Sequence, residues 1–146
     1  MKKYKRNSRE KEFVPYNFDK YIGTYPIICR SGWELRFCQY LDSNDDVTEW
    51  ASEGHRIRYF DPVRNKYRVY YPDFFVKMIN RRRFIVEIKP LKDCRLPKKV
   101  GGKSPKTMAI RESTYITNKA KFKAAKEYCK KLGYEFVVLT ENDLFR

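Results

Sequence analysis

The stretch Tyr70–Pro90, YYPDFFVKMINRRRFIVEIKP, decides how the rest of the chain is read. Two apolar runs, RVYYPDFFVKM and RFIVEIK, flank a short polar turn near Asn80 and Arg81, which is the pattern of a β-hairpin. Three ionisable side chains, Asp73, Glu87 and Lys89, sit inside those runs. A charge withdrawn from water costs several kcal/mol unless it is paired, hydrogen-bonded or bound to a metal. With the turn centred between Asn80 and Arg81, Asp73 is expected to face Ile88, one residue from Glu87. Residues two apart in a strand share a face, so Glu87 and Lys89 point one way and Phe84, Val86 and Ile88 the other. Pro72 has no N–H for a ladder, and lost pairing there would open a cleft beside Asp73.

Two carboxylates converging on one point form a hard-oxygen site suited to Mg²⁺. Such an ion polarises a phosphoryl oxygen and acidifies bound water. An ammonium alongside stabilises negative charge as it develops. These are the parts needed to hydrolyse a phosphodiester. The competing reading is a cross-strand ion pair on a solvated sheet face.

Charge favours the first reading. The chain has 33 Lys and Arg against 18 Asp and Glu, a formal charge of +15 over 146 residues, which points to a polyanion partner. Residues 90–131 hold 13 of the basic residues and three acidic ones. Lys98, Lys99, Lys103, Lys106, Lys119, Lys121, Lys123 and Lys126 are the candidate contacts to a DNA backbone. Few aromatics interleave these lysines, so this segment offers no base-stacking platform. No C-x-x-C occurs and His55 is the lone histidine, which argues against a zinc site and for four reduced thiols. No apolar run of about 18 residues exists, and the basic N-terminus lacks an apolar core, so neither a membrane span nor a signal peptide is expected.

Working outward, residues 1–20 read as a basic arm. Residues 30–42 have helical spacing, with Trp33, Phe37 and Leu41 recurring every four residues. Ser31-x-x-Glu34 fits a capping box, yet Glu34 also lies at the edge of the buried stripe, so it is either a cap or a third site carboxylate. VTEWASEGHRIRYFDP reads as one or two strands with Trp50, Ile57 and Tyr59 inward. A mobile basic loop is expected at about 91–115. A helix follows from Thr117, with Phe122, Ala125, Cys129 and Leu132 on one face and Gly133 as its terminator. YEFVVLT closes the chain as a strand, with one further turn of helix at ENDLF. The order describes a single α/β domain over 21–146, a mixed central sheet flanked by helices.

Pro72-Asp73 followed by Glu87-Ile88-Lys89 resembles the signature of the PD-(D/E)XK nuclease superfamily, the restriction-endonuclease-like fold. Over about Tyr21–Glu141 the ordered motifs resemble those of the head completion nucleases of T-even-type tailed phages. They include Arg30-Ser31-x-Trp33-Glu34, Trp50-x-Ser52-Glu53, Ile57-x-Tyr59, Asn118-x-x-Lys121-Phe122-x-Ala124-Ala125 and Leu139-Thr140-Glu141. The helix Glu and the Pro-Asp-Phe run are also similar to the endonuclease subunit of heteromeric transposases. Phe122 departs from the Trp usual in the phage proteins, a change in packing rather than chemistry. The resemblance implies a Mg²⁺-dependent DNA endonuclease, with Mn²⁺ able to substitute. Asp73, Glu87 and the Ile88 carbonyl would hold the ion, and Lys89 and Glu34 would complete the catalytic set. It implies action on packaged phage DNA as a filled head is finished, before tail joining. DNA and phage head or neck proteins would be its partners, in the bacterial host's cytoplasm or with the virion. Two alternatives stand beside it: a non-catalytic basic plug on packaged DNA, and a transposase-type endonuclease subunit.

Overall fold

The structure, a computed structural model, describes residues 10–98 and 104–144. Strand β1 (Lys11–Phe13) pairs antiparallel with β2 (Ile27–Cys29). Helix α1 (Gly32–Ser43) follows, capped by the Ser31 hydroxyl, which accepts from the Glu34 N–H. The chain then runs through β3 (Val47–Ser52), β4 (Ile57–Asp61), β5 (Lys66–Tyr70), β6 (Phe74–Met78) and β7 (Arg83–Ile88). Helix α2 (Pro105–Leu132), β8 (Glu135–Leu139) and the short α3 (Glu141–Leu144) complete it.

The central sheet has the order β3-β6-β7-β8, antiparallel except for the parallel β7–β8 pair. The two residue sets of each strand feed two cores, as strand alternation requires. On one face, Phe74, Val76, Val86 and Ile88 pack with Phe37, Cys38 and Leu41 of α1 and with Trp50. On the other, Phe75 and Ile85 pack with Cys129 of α2. Strands β4 and β5 form a separate two-stranded ribbon whose inner side, Ile57, Tyr59 and Tyr70, rests on Ala125 of α2. The expected mixed sheet flanked by helices is therefore the fold, and Trp50, Ile57 and Tyr59 are buried as read.

Four expectations are corrected. The arm of residues 1–20 is not an arm over its described part: Lys11–Phe13 is a strand, and Phe13 packs 6.0 Å from the Trp50 ring. Residues 1–9 lie outside the described residues. The loop at 91–115 is much shorter, because Leu91–Cys94 is a 3-10 turn and α2 begins at Pro105 rather than Thr117. Ser104 caps that helix through the Thr107 N–H, and Pro105 occupies its first turn, where a missing N–H is harmless. Leu132 is 47% exposed and leaves the buried face to Asn118, Ala125 and Cys129. Gly133 ends the helix with φ 73°, as its place after Leu132 suggested.

The fourth correction is the hairpin register. Phe74 pairs with Val86 and Lys77 with Arg83, one residue off the expected alignment. The turn is a three-residue loop with Arg81 in the left-handed region at φ 70°, and Met78 N–H donates to the Arg82 carbonyl at 2.8 Å. Carried one step further, this register sets Asp73 opposite Glu87 rather than Ile88.

Candidate active site

Pro72 does end a strand. The chain leaves the β4–β5 ribbon at Tyr70 and enters the central sheet at Phe74, with Pro72 and Asp73 unpaired between them. Asp73 is nonetheless fixed on three sides. Its carbonyl accepts from Glu53 N–H at 2.9 Å, and its N–H donates to Glu87 Oε2 at 3.2 Å. Its own Oδ2 accepts from the Ile88 N–H at 2.8 Å. Because Ile88 is the last residue of β7, its N–H is free of the β6 ladder and can turn to the Asp73 side chain.

Glu87 is 4% exposed. Its Oε2 also accepts from the Tyr70 hydroxyl at 2.6 Å, a short bond of the charge-assisted kind. Its Oε1 faces the Lys89 ammonium at 3.4 Å. Lys89 shares the Glu87 face, as strand alternation predicted, and its N–H extends the parallel pairing by donating to Leu139 O at 3.0 Å. Asp73 thus commits Oδ2 to a backbone donor, and Glu87 commits Oε2 to two donors and Oε1 to Lys89.

Glu34 reaches the same cleft from the first turn of α1. It sits both at the start of the helix and at the edge of the cleft. The capping bond forms, and Glu34 Oε2 accepts from the Arg30 N–H at 2.8 Å instead of from Ser31 N–H. The same carboxyl lines a cleft of about 490 Å³ with Asp73, Glu87, Ile88, Lys89 and Trp33. The Arg30 guanidinium pairs with Glu53 at its rim.

Two carboxyls of this cluster are held above the ordinary carboxylate range. Burial pushes the Asp73 carboxyl up to about 8, and the Glu87 and Glu34 charges add to that, against the Ile88 N–H and Lys89. Burial likewise raises Glu34, opposed by Arg30. A raised carboxyl beside other carboxyls is the mark of a site short of positive charge. The donor set fits a hard divalent ion: carboxylate oxygens of Asp73 and Glu87, with the Ile88 carbonyl next in the chain. Among the described residues, no three His, Cys, Asp or Glu side chains are gathered as a metal cage. Glu34 therefore stands beside the Asp73–Glu87 pair rather than completing a three-carboxylate site.

The predicted lysines divide. Lys119, Lys123 and Lys126 are exposed and line one groove along α2 with Asp93 and Tyr115. Lys98 joins Arg95 and Arg111 in an adjoining groove, and Lys106 is exposed in the first turn of α2. Asp93 borders both grooves and the carboxylate cleft, so the basic surface is continuous with the cleft. Lys99 and Lys103 lie outside the described residues. Lys121 is different: it is half-buried, with its ammonium 5.5 Å from the Tyr70 ring centre and 5.9 Å from that of Tyr59. Burial lowers its pKa, and the nearby Lys89 charge lowers it further.

Tyr70 was missed in the sequence. A Tyr three residues before an Asp carries no signal by itself. Only the ribbon's alternation, which turns Tyr70 inward opposite Ile57, aims its hydroxyl at Glu87. His55 Nδ1 lies 2.7 Å from the Tyr128 hydroxyl, against Phe75.

The mixed sheet flanked by helices is that of the restriction-endonuclease-like fold. Residues 44–141 match the family model of the TnsA-like endonuclease N-terminal domain, and the chain belongs to that endonuclease family. Along nearly its whole length it is also similar to the head completion nuclease of Enterobacteria phage T4, at 35% identity over 137 residues, covering 91% of each chain. Among the described residues, no helix is long and apolar enough to cross a membrane.

Proposed function

We propose that this protein is a Mg²⁺-dependent DNA endonuclease that acts on packaged phage DNA during head completion, before tail joining. The observation that carries the chemistry is the Asp73–Glu87 pair lining one cleft, joined by the Asp73 N–H on Glu87 Oε2 at 3.2 Å, with Lys89 3.4 Å from Glu87. The near full-length similarity to a phage head completion nuclease supports the biological role over that of a transposase subunit. It also supports phage head or neck proteins as partners, in the host cytoplasm or on the virion. Asp73, Glu87 and the Ile88 carbonyl would hold the ion, with Mn²⁺ as a substitute. Bound there, it would supply Lewis-acid polarisation of the phosphate and a more acidic water.

The chain's own residues do the rest. Ile88 N–H and Tyr70 hydroxyl hold one oxygen of each carboxylate, so the other oxygens keep their direction. The Lys89 ammonium stabilises charge that grows on the phosphate during attack. Glu34, raised by burial, is suited to exchange a proton at the cleft edge. Lys98, Lys106, Lys119, Lys123 and Lys126, with Lys99 and Lys103 of the same segment, hold the DNA backbone, and Lys121 contributes positive charge beside Glu87.

Lys89→Ala tests this reading. It removes one of 33 basic residues, so DNA affinity should change little. Loss of a group that stabilises transition-state charge costs about a hundredfold to a thousandfold in rate. Gel-shift and single-turnover cleavage should therefore separate, with binding kept and cutting slowed. Equal cleavage rates for parent and variant would remove Lys89 from the mechanism.

A further inference from the structure

The outward face of the β4–β5 ribbon carries arginines interleaved with aromatic rings. The register pairs Arg58 with Val69 and Phe60 with Tyr67, and one step further sets Arg56 beside Tyr71. Strand alternation sends all six side chains to the side away from α2, and all six are exposed. Tyr67 is 61% exposed. The face contains no acidic residue. The Arg58 guanidinium lies 4.1 Å from the Tyr67 ring centre, and that of Arg56 5.9 Å from Tyr71. Phe60 and Tyr67 meet edge to face at 5.3 Å. The ribbon is not hydrogen-bonded into the four-stranded sheet, and no described element covers this side.

We propose that this face binds single-stranded DNA by stacking its bases. This rests on the nuclease reading and names a substrate feature for it. Positive charge with no carboxylate selects a polyanion. Duplex backbone needs only cations and gives exposed rings nothing to stack on, because its bases are already stacked inward. A single strand offers both phosphates for Arg56 and Arg58 and free base faces for Phe60, Tyr67 and Tyr71. Guanidinium planes stack on bases as aromatic rings do. Along the chain the face lies close to the site: it ends at Tyr71, two residues before Asp73. Tyr67 is six residues from Asp73, at most about 21 Å of chain. The lysines of α2 then serve the duplex side, so the protein would grip DNA where a duplex gives way to a single strand.

The test is fluorescence anisotropy in EDTA, which needs no cleavage. Labelled oligothymidylate and a blunt duplex of equal length are titrated with the parent, with Phe60→Ala/Tyr67→Ala and with Tyr67→Trp. Base–aromatic stacking corresponds to about a five- to 150-fold change in affinity per base. The double variant should lose at least fivefold on oligothymidylate and little on duplex. Tyr67→Trp, which keeps a stacking face, should retain parental affinity. Both residues point to solvent, so thermal melting should confirm that each variant is folded. Unchanged oligothymidylate affinity in the double variant would overturn the proposal. So would an equal loss on duplex, which would assign the face to general backbone contacts. A parent that ignores oligothymidylate but cuts duplex in Mg²⁺ would refute this face and leave the nuclease standing. A parent that binds oligothymidylate through these residues yet cuts no DNA would do the reverse.

Discussion

Removing one hydroxyl from the site should be felt in both stability and rate. Tyr70 is 5% exposed, and its O–H donates to Glu87 Oε2 at 2.6 Å. Tyr70→Phe keeps the ring against Tyr59 and Lys121 and leaves Oε2 with only the Asp73 N–H at 3.2 Å. A hydrogen bond to a charged group contributes about 1.5–3 kcal/mol, and a buried acceptor left short of a donor forfeits that amount. Unfolding by urea should therefore shift to a lower midpoint by that free energy with an unchanged slope. Loss of a partner that orients a metal-binding side chain commonly costs about ten- to a hundredfold in activity. Single-turnover cleavage should fall by that factor. A variant as stable and as fast as the parent would show that Tyr70 does not position Glu87, and that the short bond has no part in the site.

The remaining predictions concern pH, salt and a helix end. Asp73 sits at about 8 against an ordinary 3.8. Its contribution to stability is complete below about pH 4 and is lost as pH rises towards 8. Melting in EDTA should show Asp73→Asn gaining on the parent as pH rises across that window, and parallel curves would contradict the raised value. Each phosphate contact adds roughly 0.9 to the slope of log K against log salt on duplex DNA, so Lys119→Ala/Lys123→Ala/Lys126→Ala should flatten that slope by up to about 2.7. An unchanged slope would turn that face of α2 away from DNA. Gly133→Ala must place a side chain at φ 73° and should cost about 1–2 kcal/mol of stability with no effect on cleavage, measured by urea unfolding.

The fold was legible wherever one element carried its own period. The Trp33–Phe37–Leu41 spacing found α1, and the inward Ile57 and Tyr59 found strand β4, but not that β4 and β5 form a ribbon apart from the central sheet, since RVYYPDFFVKM reads as one run. The central hairpin was visible too, but its register slipped by one because a left-handed Arg81 cannot be read from residue type. The error was small in consequence: strand alternation still put Glu87 and Lys89 on one face, and Pro72 still marked the gap in pairing. The early start of α2 was missed because Pro105 stops a helix in its interior and opens one in its first turn. The arm was misread because three residues, Lys11–Phe13, hold their place through Phe13 on Trp50, a contact with no local signature. The places of Tyr70 and Lys121 beside Glu87, and of Glu34 at the cleft edge, depend on contacts between elements far apart in sequence, which periodicity does not report.

The most direct measurement of the central claim is cleavage of duplex DNA under single-turnover conditions across a Mg²⁺ titration, for the parent and Asp73→Asn. The Asp73–Glu87 pair predicts that the parent cuts with Mg²⁺ or Mn²⁺ and stops in EDTA. Asp73→Asn, which keeps its shape and removes one carboxylate oxygen, should still bind DNA and remain folded but fail to cut at any Mg²⁺ concentration. Cutting by the parent in EDTA, or cutting by Asp73→Asn at the parental rate, would contradict a metal site built on this pair.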